Sequence, residues 1–84
     1  MYSNKQAIED GAKQIEKQYA RGKTIEQIRS EFIRDANAGK AGAKFVSQGT
    51  TLYADAIAEG NYNAASDILV ALTAVETNAG QAVQ

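Results

Sequence analysis

Asp55 and Glu59 stand four residues apart, one helical turn, and Asp67 follows on the next periodic segment. Three carboxylates brought together in this way could hold a hard cation such as Mg²⁺ or Ca²⁺. The chain has no histidine and no cysteine to complete a transition-metal site, and no Asp-x-Asp-x-Asp-Gly loop. The three acids therefore read as a solvated edge, with Asp67 favourably placed near a helix start. No metal or cofactor is expected.

The missing residue types also narrow catalysis. A serine or threonine nucleophile here needs a lysine or a carboxylate as its base. Ser47 lies three residues after Lys44, an arrangement common on any exposed helix face, and Ser66, Thr50 and Thr51 have no better partner. Gly22-Lys23-Thr24 echoes the end of a phosphate-binding loop, but Lys17 stands where that motif requires its first glycine. The triplet reads as a helix stop followed by an N-cap. A non-enzymatic protein is expected.

Basic residues carry the next signal. Lys13, Lys17 and Arg21 recur every four residues, and Lys23, Arg29, Arg34, Lys40 and Lys44 follow. Lys13, Lys17, Arg21, Lys23, Arg29 and Arg34 are the candidate contacts to a nucleic-acid backbone. Glu9, Asp10, Glu16, Glu26, Glu31 and Asp35 are interleaved with them, and Glu9–Lys13 is an ordinary i,i+4 pair. A salt-bridged, solvated face is the stronger reading, and nucleic-acid binding is the second. All nine Lys and Arg fall in residues 1–44 with six acids, while residues 45–84 carry four acids and no base. The near-neutral net charge of −1 thus hides a dipole between +3 and −4 halves.

Four helices carry these residues. Ser3-x-x-Gln6 is a capping-box pattern, and Ile8, Ala12, Ile15 and Tyr19 trace a stripe over 4–21, ending at Gly22. Thr24-x-x-Gln27 repeats the box, with Ile25, Ile28, Phe32 and Ala36 striping a helix over 24–38 and Ile33 widening it. Phe45, Gly49, Leu52 and Ala56 share one face of a third segment, with Val46, Tyr53 and Ile57 beside them. Continuity of register favours one helix over 41–59 that uses Gly42 and Gly49 for close helix contact. A break at Gly49, with Thr50 as a new N-cap, is the competing reading. Gly60 ends that helix, Asn61 or Asn63 caps the next, and Ile68, Leu69, Leu72 and Val75 form its stripe over 62–77. Asn78 and Gly80 are expected to close it. The fold class is all-α, one small four-helix domain built as two antiparallel αα-hairpins.

The stretch "AIAEGNYNAASDIL" resembles the turn of a tetratricopeptide hairpin at Gly60, Tyr62 and Ala65. The resemblance implies hairpin geometry; the peptide groove of that family needs stacked repeats, which this chain lacks.

The last helix is the stickiest element. Ala65, Ile68, Leu69, Val70, Ala71, Leu72, Ala74 and Val75 place apolar groups nearly all round it. One side is expected against the third helix through Leu52, Ala56 and Ile57, and the other against the first hairpin or a partner. Tyr53, Tyr62, Asp67, Val70 and Thr73 are the candidate interface residues. Lysine is absent after residue 44, as suits an interface. The longest apolar run, Ile68 to Leu72, is far short of the ~20 residues a membrane span needs. "MYSNKQAIEDGAK" lacks the layout of a signal peptide. A cytoplasmic protein that associates with itself and with another protein is expected, as an accessory or inhibitor protein of the kind viruses and mobile elements encode. A subunit of a repeating assembly is a further reading.

Overall fold

The computed structural model describes residues 4–83, with side chains from Lys5 to Asn78 except Ala7. It contains four helices: α1 (Asn4–Ala20), α2 (Ile25–Asn37), α3 (Ala43–Glu59) and α4 (Tyr62–Val83). The capping box expected at Ser3 begins outside the described residues. The one at Thr24 is complete: the Gln27 amide donates to Thr24 Oγ1 (3.2 Å) and the Thr24 amide to Gln27 Oε1 (2.9 Å). Two otherwise orphaned donors are satisfied reciprocally.

α3 runs unbroken through Gly49. A Cβ at that position would run into the Phe32 ring and come within 2.6 Å of Leu72 Cδ2. The glycine therefore serves the close approach of α2 and α4, which offsets its intrinsic cost of about 1 kcal/mol in a helix. Gly42 has a different job from the one expected. It is the N-cap of α3, outside the helix, at φ +129°. At the other end Gly60 (φ +76°) turns the chain, with the Asn61 amide donating to the Ala56 carbonyl (2.9 Å). Asn61 then caps α4 through its side chain, accepting from the Ala64 amide at 3.2 Å.

α4 passes the expected stop and continues through Asn78 and Gly80 to Val83. Asn78 does not terminate its own helix. Its side-chain amide donates to the Ala36 carbonyl at the end of α2 (3.0 Å).

The second helix–turn–helix pair packs within itself, whereas the first does not. α1 lies on α3, α3 on α4, and α4 on α2, while α1 and α2 meet only sparingly. The core lies along α3 and α4: Leu52, Ala56, Ile68 and Val75 are fully buried, roofed by Ile28 and Phe32 of α2 and Ile15 of α1. Phe32 and Phe45 stack at 4.5 Å between centroids. Each buried Ile, Leu, Val or Phe among them contributes roughly 1.5–3 kcal/mol. Two stripes are rotated from expectation. On α1, Gly11 and Ile15 face the core, and Ile8 and Tyr19 sit half exposed at its margins. On α4, Ala65, Ile68, Ala71 and Val75 face inward, and Leu69 points out. Ile57 of α3 is likewise exposed.

Candidate interaction surfaces

α4 has two apolar faces, of which the fold covers one. On the outer face Tyr62 is 67% exposed, Leu69 51% and Val70 68%. Ser66, Thr73 and Thr77 lie among them at helical spacing, all exposed. Thr73 donates its hydroxyl to the Leu69 carbonyl (3.1 Å), and Thr77 donates to the Thr73 carbonyl (3.1 Å). Both hydroxyls are thus satisfied within the helix, leaving the threonine methyl groups to the surface. The result is a stripe three turns long without a charge, from Tyr62 to Thr73.

Of the five interface candidates, Tyr62, Val70 and Thr73 share this stripe. Tyr53 does not: it is half buried on α3, packed against the core. Asp67 is exposed but turned toward α2, where it lines a groove of about 220 Å³ with Glu26, Arg29 and Asn61. Leu69 belongs to the stripe and was assigned to the core by periodicity. Its position, 100° on from Ile68, is what moves it outside.

The six basic candidates do not form one ridge. Lys13 and Lys17 are exposed along α1, Arg21 is exposed in the turn just past its end, and Arg34 is exposed on α2. Lys23 is held by Glu31 at 2.6 Å. Arg29 is buried, 8% exposed, and reaches across to Glu59 at the end of α3 (3.1 Å), with its Nε lacking a partner. Its place beside Ile28 and one turn before Phe32 carries it to the core margin. Lys17, Arg21 and Lys23 instead line a cleft between α1 and α2 together with Lys40.

Catalytic and metal arrangements are likewise traceable. Ser47 is fully buried and donates to the Lys44 carbonyl (2.8 Å), so the Ser47–Lys44 pair is a backbone contact. Glu59 is engaged by Arg29, and among the described residues no three metal-ligating side chains converge. Among them, too, no helix is long and apolar enough to cross a membrane. No protein-family model matches the sequence, and neither the curated proteins nor the solved structures offer a match.

Proposed function

We propose that this is a non-enzymatic interaction protein that associates with a second copy of itself through the outer face of α4. The observation that supports it is the uncharged stripe of Tyr62, Leu69, Val70 and Thr73, left uncovered beside a well-filled core. Large exposed apolar side chains grouped on one face mark contact surfaces. A charge-free stripe can meet its own copy about a two-fold axis without setting like charges together. Asp67 lies at its flank, and Glu76 follows one turn beyond its Thr73 end. An accessory or inhibitor role follows naturally from such a surface, and the partner's face would compete with the second copy.

Light scattering over a hundredfold concentration range, at low and high salt, tests this. A salt-insensitive dimer is expected, converted to monomer by Leu69→Glu with Val70→Glu while helicity by circular dichroism is unchanged. A monomer at every concentration overturns self-association, and a dimer that dissociates in salt assigns the contact to the charge dipole instead.

A further inference from the structure

Because α1 and α2 scarcely touch, a cleft of about 210 Å³ opens between them, floored by the start of α3. Lys17 of α1, Arg21 and Lys23 of the α1–α2 turn, and Lys40 from the α2–α3 loop stand on its walls, with Glu31 and Asp35 of α2. Glu31 is spent on Lys23. Among the described residues Lys17, Arg21 and Lys40 enter no ion pair. Lys40 is nonetheless positioned, its ammonium 5.1 Å from the centre of the Phe45 ring. The amides of Gln14, Gln18 and Gln48 line the same cleft and supply neutral donors.

We infer that this cleft binds a compact oxyanion of the phosphate class, either free phosphate or the terminal group of a small phosphomonoester. Four cations against two carboxylates leave the walls two charges positive, which matches a dianion. Arg21 offers the planar fork that grips two oxygens at once, and the lysines act as point charges beside it. The volume lies below the 300–1,000 Å³ typical of a drug-sized site, so only a headgroup enters. The cations face one another across a concavity, whereas a duplex needs them on a surface that follows its backbone. This inference is independent of α4.

Amide NMR of the full chain, titrated with inorganic phosphate and with glucose 6-phosphate at constant ionic strength, tests it. Saturable shifts are expected at the side-chain amides of Gln14, Gln18 and Gln48. Affinity should fall about tenfold in Lys17→Ala and in Arg21→Ala, less in Arg21→Lys, and stay unchanged in Lys5→Ala. Tighter binding of phosphate assigns the site to the free ion, and the reverse assigns it to a monoester. Absence of saturation at millimolar ligand overturns the inference, as does an equal loss in Lys5→Ala, which would mean diffuse charge. Binding of a short DNA duplex that phosphate fails to displace would overturn it in favour of a nucleic-acid surface.

Discussion

Thr51 of α3 donates its hydroxyl toward the carbonyl of Ile8 on α1, 3.2 Å away and 43 residues earlier in the chain. The same hydroxyl lies 3.0 Å from the Ser47 carbonyl of its own helix. This shared contact marks a close approach of the two backbones. At the same crossing, a Cβ on Gly11 would collide with the Ser47 carbonyl and Thr51 Oγ1.

Gly11→Ala should therefore destabilise the protein, although alanine gains about 1 kcal/mol of helix propensity over glycine. The obstruction includes backbone, which cannot swing aside, and overpacking of this kind costs about 1–3 kcal/mol. Urea denaturation should show a lower midpoint with an unchanged slope. A raised midpoint would mean that α1 and α3 do not approach so closely.

Gly49→Ala meets side chains instead, the Phe32 ring and Leu72. A loss of about 1–3 kcal/mol is again expected, with a specific signature. Leu72→Ala alone should cost stability, yet in the Gly49→Ala background it should cost less, because it vacates the space the new methyl needs. A double-mutant cycle on thermal or urea unfolding reads that coupling. Strict additivity would show that the two positions are not in contact.

Asn78 ties α4 to the end of α2 by capping the Ala36 carbonyl. Asn78→Ala should cost about 0.5–1.5 kcal/mol, the range of a lost hydrogen bond. Hydrogen exchange should locate the effect: faster exchange at the end of α2, around Ala38 and Gly39, and not only in α4. Protection lost from α4 alone would refute the cap.

Arg29 and Glu59 respond asymmetrically. Glu59→Ala leaves the guanidinium buried with less to satisfy it, and a loss of about 1–3 kcal/mol is expected, toward the lower end because Glu59 is half exposed. Arg29→Met removes the charge and keeps the volume, so stability should stay within about 1 kcal/mol of the parent. Should Arg29→Met prove the worse of the two, the ion pair stabilises the fold outright.

What could be read from the sequence was what local chemistry decides. The Thr24 box, the Gly60 turn and the Ile28–Phe32–Ala36 stripe each depend on residues within a few positions of one another. The unbroken register of α3 was legible for the same reason. Gly11 was not, since its need for a missing Cβ arises only where Ser47 and Thr51 arrive from another helix. The exposure of Leu69 was hidden by an α4 that is apolar on both sides; periodicity cannot say which side the fold covers. Arg29 looked like one more rung of a basic ridge, although its neighbours Ile28 and Phe32 already placed it at the edge of the core. At Asn78 and Gly80 residue type suggested a stop. The helix continues, and the asparagine side chain serves α2 instead.

Two long ties, Thr51 to Ile8 and Asn78 to Ala36, join the first half of the chain to the second across 43 and 42 residues. Neither of the first two helices finds much support from the other. The α3–α4 hairpin can close locally, but the first cannot; loops of about forty residues must form before the first half gains anything from order. The same architecture makes the chain divisible. Cleaved in the glycine-flanked loop at 38–42, residues 43–84 would keep the α3–α4 pair, while residues 1–38 would be unstructured alone. On mixing, the shorter piece should fold onto the longer, turning an intramolecular fold into a bimolecular complex whose affinity measures the packing between the halves.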